Sequence, residues 1–363
     1  MAGNANRIYN FSAGPSMLPL EALETAASEM TDYNGSGQSV MEMSHRSKVY
    51  LEIFEETKAA LRAALAVPDT HEILFMQGGA TFQFSAVPLN LLEGGTADYA
   101  VTGNFAGIAA EEAGKYGGVH VAASSADRNH TYIPAAAELK PSPDAKYFYY
   151  CSNNTIYGTE WKYTPETASP LVCDMSSNIL SKPVDVSKYG LIFAGVQKNM
   201  GPAGMAVVII DKTLAGRELP YTPKVMSYKV AIEKDSMDNT PPCYTIYMLG
   251  LTLKWLAKRG GVPAMEKLKT ERAALLYDYL EESKLFHAVA DRSSRSDMNV
   301  TFRTDGAETD KAFVKAAENA GFANLAGHRL VGGMRASVYN AMPVEGVQKL
   351  VAFMKQYEAA EPC

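Results

Sequence analysis

Cysteine is scarce in this chain of 363 residues: there are four, at positions 151, 173, 243 and 363, and no two of them form a C-x-x-C pair. That spacing offers neither a disulfide framework nor a zinc site. Cys151 and Cys173 stand in apolar, strand-like runs and read as core residues. Long apolar runs are missing too, since none reaches the about 18 residues of a membrane span. The opening stretch MAGNANRIYNFSAGP lacks the apolar centre of a secretory signal, so a cytoplasmic protein is expected. Basic charge is not in excess: 34 Lys and Arg face 40 Asp and Glu, a formal net charge of -6. A general nucleic-acid or membrane-surface binder would need a basic stripe. Cations that do converge are therefore local, and they call for a small anionic ligand. Neither an internal repeat nor a low-complexity tract is present.

With 47% hydrophobic and 20% charged residues, the chain has ordinary globular proportions, and its length suits about two domains. Leu20 to Met30 and Tyr50 to Leu65 carry apolar residues at helical spacing. Short apolar runs then alternate with helical patterns: HEILFMQ, GGATFQFSAVPLNLLE, TADYAVTG, FAGIAAEEAGKYG and VHVAAS. Such alternation predicts parallel strands joined by crossover helices. KYFYYCS, PLVCDMS, GLIFAGV and MAVVII extend the same sheet. A helix from about Tyr244 to Lys258 ends at Arg259, Gly260, Gly261, Val262 and Pro263, where glycine and proline stop it. The boundary is placed there, giving a large domain over 1–259 and a smaller α+β domain over 260–363. The first residues have the option of packing with the smaller domain. The fold class is α/β, a large domain whose mostly parallel sheet is flanked by helices.

Ligands of open parallel sheets sit beyond the carboxyl ends of the strands. After HEILFMQ, the small residues Gly78, Gly79, Ala80 and Thr81 open a helix whose free N–H groups suit a phosphate. A tight turn with no ligand would look the same. After PLVC stands Asp174, which must be paired, capped or ligated if it is buried. After GLIFAGV stand Gln197 and Lys198, and a lone lysine there would pass for a surface residue. Taken together, a phosphate seat, a carboxylate and a lysine match the three polar handles of pyridoxal 5'-phosphate: its phosphate, ring nitrogen and aldehyde. The carboxylate keeps the ring nitrogen protonated, and the lysine forms the Schiff base and carries the proton.

FSAGPSMLP (11–19), MEMSHRS (41–47), AGVQKNMGPAG (194–204), NTPP (239–242) and GHRLVGGMRASVYNAMP (327–343) resemble the phosphoserine aminotransferase family, class V aminotransferases of PLP fold type I. The likeness runs from near residue 8 to near residue 357. It implies that Lys198 is the Schiff-base lysine, Asp174 the partner of the ring nitrogen, and Gln197 a phosphate ligand. Ala80 and Thr81 match the phosphate turn, and Thr155 matches the threonine that bonds the cofactor's phenolic oxygen. Asn239 and Thr240 match residues that reach the phosphate in a neighbouring subunit, which implies a homodimer with active sites at its interface. Where the family usually stacks a tryptophan on the ring, this chain has Phe105.

The same resemblance implies the substrates. Glutamate, 2-oxoglutarate, phosphoserine and 3-phosphohydroxypyruvate all carry an α-carboxylate and a distal anion. Arg335 is expected to hold the first, and Arg46, His328 and Arg329, with His45 beside them, the second, one or more of them across the dimer. Arginine's planar fork suits both carboxylate and phosphate. His71, His120, His130 and His287 read as structural or solvated. The family also acts on 3-amino-2-oxo-4-phosphonooxybutanoate-type substrates of pyridoxine synthesis, which the sequence leaves open. Two enzyme rivals share Lys198 and Asp174 but not the anion pocket, an alanine:glyoxylate aminotransferase and a cysteine desulfurase. A non-catalytic scaffold would be expected to lose one of those two residues.

Overall fold

The computed structural model describes residues 7–360. Cys363 and residues 1–6, part of the stretch weighed above as a signal, lie outside the described residues. Strand β1 (Tyr9–Asn10) leads into helices α1 (Leu20–Ser28) and α2 (Lys48–Leu65). The Ser47 hydroxyl caps α2 by accepting from Tyr50 N at 3.3 Å. Tyr50, Ile53, Phe54, Leu61 and Leu65 form its buried stripe, as a period of 3.6 dictates.

Next come β2 (His71–Gln77), α3 (Gly79–Leu91), β3 (Thr96–Val101), α4 (Asn104–Ala113) and β4 (Gly118–Ser124). They are followed by β5 (Phe148–Cys151), the small hairpin β6 (Asn153–Asn154) and β7 (Thr159–Glu160), and β8 (Leu171–Asp174). β9 (Leu191–Gly195), the one-turn α5 (Val196–Asn199) and β10 (Met205–Asp211) complete the series. Seven of these strands make one sheet in the order β2-β10-β9-β8-β5-β3-β4. β10 alone runs against its neighbours, because the link from Gly195 to Met205 is shorter than the dozen or so residues a parallel crossover needs.

Side chains alternate between the two faces. Ile73, Phe75, Tyr150, Cys173, Ile192 and Val207 pack under α2. Leu74, Met76, Tyr149, Val172, Phe193 and Val208 face α3 and α4. Both faces are covered, which is why these strands read as near-continuous apolar runs. The carboxyl ends of β2, β3, β5, β8 and β9 fall along one edge. From β3 the chain steps out to β4 on one side and resumes at β5 on the other, so a topological switch point lies between β3 and β5.

Beyond α6 (Tyr228–Glu233) and α7 (Cys243–Lys258), Gly260 at φ 89 turns the chain into α8 (Gly261–Glu282). The helix expected over Ala273 to Tyr279 is thus much longer, since Gly261 and Pro263 open it rather than only ending its predecessor. Proline costs nothing in a first turn, where its missing N–H has no intrahelical partner. β11 (His287–Ala288), β12 (Asn299–Arg303), α9 (Ala307–Asn319), β13 (Phe322–Ala323), β14 (Met334–Ser337) and α10 (Val344–Ala360) follow. β11, β12 and β14 form an antiparallel sheet. Leu276, Phe286, Phe302, Phe313, Val347 and Leu350 build a core of their own there, and Phe11 belongs to it. β1 pairs in parallel with β13, so the first strand among the described residues joins the unit that begins near residue 260.

Candidate active site

The residues singled out at the strand ends meet along the edge just described. Asp174 closes β8 with 4% of its surface exposed. Its Oδ1 accepts from Ser176 N at 2.8 Å. Burial pushes its carboxyl above the ordinary aspartate value, against the pull of the Lys198 charge and the Ser176 donors. Such a carboxylate is held back from full stabilisation by its surroundings and is suited to a cationic partner.

Lys198 sits in α5, directly after β9. Its Nζ donates to Thr155 Oγ1 at 2.9 Å. Burial holds the amine below the ordinary lysine value; Asp174 pulls it back up, and the Arg335 charge lowers it further. Phe105, in the first turn of α4, places its ring centroid 5.3 Å from Nζ. Arg335 leaves β14 toward the same threonine, Nη1 donating to Thr155 O at 3.3 Å. Its Nε is buried with no hydrogen-bond partner among the described residues.

Gln197 and the turn at Ala80 are also close neighbours. A Cβ placed on Gly195 would stand 2.9 Å from Gln197 Oε1 and 3.3 Å from Ala80 Cβ. Gln197 Oε1 is buried and unpartnered among the described residues. Ala80 and Thr81 open α3 behind Gly78, at φ 91, and Gly79, at φ 70, a backbone shape that glycine adopts at no steric cost. A phosphate-bearing ring with an aldehyde fits these groups: an amine, a buried carboxylate, a flat aromatic face, a side-chain amide whose NH2 can donate to a phosphate and a helix start.

The remaining expected residues stand further out. His328 lies on the turn before β14, accepting at Nδ1 from Leu330 N at 3.3 Å, which leaves the ring proton on Nε2. Burial and the charges of Arg335 and Arg329 lower its pKa, so Arg335 is within electrostatic reach. Arg329 and Arg46 are exposed. His45 is part-buried with Nε2 unpartnered among the described residues. Asn239 and Thr240 are exposed as well, and Thr240 O accepts from Gln77 Nε2 at 2.6 Å, next to the phosphate turn.

Three hydrogen bonds at the site were not foreseen, and one core residue lies closer to it than expected. The Ser16 hydroxyl bonds the carbonyl of Lys198, and Ser16 N donates to Gln197 O at 3.0 Å. Asn199 Oδ1 accepts from Asn340 N at 2.9 Å, tying the lysine turn to the loop after β14. Cys151, at the end of β5, is buried within the field of Lys198 and Asp174, and burial drives its thiol pKa up. Ser16 and Asn340 stand inside two of the stretches quoted above, but only the folded chain brings them to Lys198 and Asn199.

Comparison with known proteins adds the lineage. The profile of the family Aminotransferase class-V matches residues 8–350. Phosphoserine aminotransferase of Laribacter hongkongensis is 50% identical over 352 residues, covering 96% of this chain and 98% of that one. Among solved structures, phosphoserine aminotransferase from Bacillus circulans subsp. alkalophilus superposes with a TM-score of 0.96 at 44% identity, over 98% of this chain and 99% of that one. The PLP-bound enzyme from Trichomonas vaginalis gives 0.93 at 41% identity, over 96% and 100%.

Proposed function

Because the chain belongs to the class-V aminotransferases, we propose that it moves an amino group from glutamate to 3-phosphohydroxypyruvate, giving 2-oxoglutarate and O-phosphoserine in serine biosynthesis. The observation that carries the reading is the double hold on Thr155, by the Lys198 amine at its hydroxyl and by Arg335 at its carbonyl. That hold puts a proton-moving amine and a carboxylate-binding fork on one residue, in a chain half identical to phosphoserine aminotransferases. An alanine:glyoxylate enzyme would share the amine but has no use for a distal anion pocket.

Bound pyridoxal phosphate supplies an electron sink for the pair released when the substrate's Cα proton leaves. In this reading Lys198, Asp174, Thr155, Gln197, Ala80, Thr81 and Phe105 hold it, and Asn239 and Thr240 reach it from a second copy of the chain. Lys198 Nζ, its pKa lowered by burial, takes the Cα proton as a neutral amine and returns it. Asp174 holds a proton at the ring nitrogen. Phe105 orients the ring by its flat face and shields it from water. Arg335 grips the α-carboxylate in a bidentate fork. His45, Arg46, His328 and Arg329 take the γ-carboxylate of glutamate or the phosphate of its partner, some of them across a homodimer interface. We place the boundary between a large unit over 1–259 and a smaller one over 260–363, with the first residues packing on the smaller unit through the β1–β13 pair. No helix among the described residues is long and apolar enough to cross a membrane, in keeping with a cytoplasmic enzyme.

A coupled assay tests this by offering phosphoserine, serine and alanine as amino donors to 2-oxoglutarate, with Arg335→Ala as control. Phosphoserine should be strongly preferred and the control inactive. Equal rates for the three donors would remove the anion pocket from the account.

A further inference from the structure

The small sheet rests on the Lys198 site through a chain of side-chain amides. Asn153, two positions before Thr155, is buried. Its Nδ2 donates to Ser177 Oγ and to Asn299 Oδ1, each at 2.7 Å, and its Oδ1 accepts from Ser296 Oγ at 2.6 Å. Asn299, first residue of β12 and fully buried, passes the chain on. Its Nδ2 donates to Ser337 Oγ at 2.9 Å and to the Tyr339 hydroxyl at 3.2 Å. The Tyr339 hydroxyl then donates to Ala13 O at 2.8 Å. The chain has a fixed sense, because turning either amide over would set donor against donor or acceptor against acceptor in a buried place, where an unmade bond costs most.

The same edge touches down twice more. Thr301 Oγ1 donates to Tyr157 O at 3.0 Å, and Arg335, opposite Thr301 in the β12–β14 register, reaches Thr155 O. Gly158 permits this approach, since at φ +74 a Cβ there would stand 2.4 Å from Thr301 Oγ1. The segment 153–158 thus carries Thr155 against Lys198 on one side and receives β12 and β14 on the other.

We propose that Asn299, acting through Asn153, is a positioning residue that sets the reach of Arg335 from Lys198, and with it the placement of the substrate's carboxylate. This rests on the reading of Arg335 given above. Lys198 hangs from β9 and Arg335 from β14, so their separation depends on how β12 and β14 are seated on residues 153–158. A shift of about 1 Å in such a seat costs on the order of 100-fold in a positioned reaction.

Asn299→Asp is the informative variant, for it keeps the oxygen facing Asn153 and replaces the donor facing Ser337 and Tyr339 by an acceptor. In the holoenzyme, the KM for glutamate and the calorimetric Kd of unreactive glutarate should both rise by about 10- to 100-fold. The kcat should fall far less than the KM rises, because Lys198 and Asp174 hang from β9 and β8. Val300→Ala, which hollows the core beside Asn299, controls for lost stability and should lower Tm without changing either constant. Should Asn299→Asp not fold, Ser337→Ala removes one acceptor of the same amide and should weaken glutarate by a few-fold. An unchanged glutarate Kd in the folded Asn299 variant, or in Ser337→Ala, overturns the proposal, as does equal weakening by Val300→Ala. Arg335→Lys separates the two claims: if it binds glutarate like the parent, the reading of Arg335 itself is wrong.

Discussion

The Lys198 amine and the Thr155 hydroxyl lie 2.9 Å apart, joining the turn after β9 to the segment after β5 across the intervening strand. An amine in this position is desolvated, which favours its neutral form, and the neutral form is what capture of an aldehyde requires. Lys198→Ala should therefore leave no peptide tagged by borohydride, and should lose about 100- to 10,000-fold in turnover from proton transfer alone.

The pH dependence of that capture follows from the charges around the amine. Burial and Arg335 keep Lys198 below the ordinary lysine value, so the rate of absorbance growth with free pyridoxal phosphate should rise with pH and level off below about 10.4. Removing the Arg335 cation takes away one of the depressing charges. The Arg335→Ala curve should therefore move to higher pH, and a curve that moved down would refute the electrostatic assignment.

Phe105 offers a direct test of ring stacking. Its centroid is 5.3 Å from Lys198 Nζ, and a flat aromatic pair is worth about 0.5 to 1.5 kcal/mol beyond buried area. Phe105→Ala should weaken cofactor binding by at least about 2- to 12-fold, while Phe105→Trp should match or tighten it. Equilibrium dialysis of the phosphorylated vitamer against each protein measures both.

Glu160 governs acid stability rather than catalysis. It is fully buried, and burial by itself would raise its carboxyl, but Lys182, Lys162 and Lys269 hold it down at about 2. A carboxyl depressed by folding contributes stability that is present above its unfolded value, near 4.5, and is lost as pH falls toward 2. That amounts to roughly 3 kcal/mol for this group. Glu160→Gln should melt lower at pH 7, and the gap from the parent should close between about pH 5 and pH 2. A constant gap over that range would contradict the assigned cause.

Much of this site is written in local sequence. Apolar runs of strand length ending in Asp174, Gln197 and Lys198 announce a sheet whose ends carry polar work, and Ser47 and the glycines 78 and 79 mark their helices by chemistry. The direction of β10 was not legible, because alternation gives faces but no sense of travel; the short link before it decides that. The amide pair Asn153 and Asn299, separated by 146 positions, leaves no periodic trace, since a buried asparagine in a strand looks like a polar interruption until its partner is seen. Arg46, Asn239 and Thr240 remain exposed in a single chain, and their assignment came from family likeness rather than from any pattern of their own.

β1 has a consequence for how the protein is made. Its residue Asn10 accepts a side-chain bond from Asn324, 314 positions later, so this strand leaves the ribosome with nothing to pair with until some three hundred further residues have been made. At about 5 to 20 residues per second that wait is roughly 15 to 60 s. During it, Phe11 stays without its hydrophobic shelter, and the nascent chain must keep an aromatic foot in water or in the care of a chaperone.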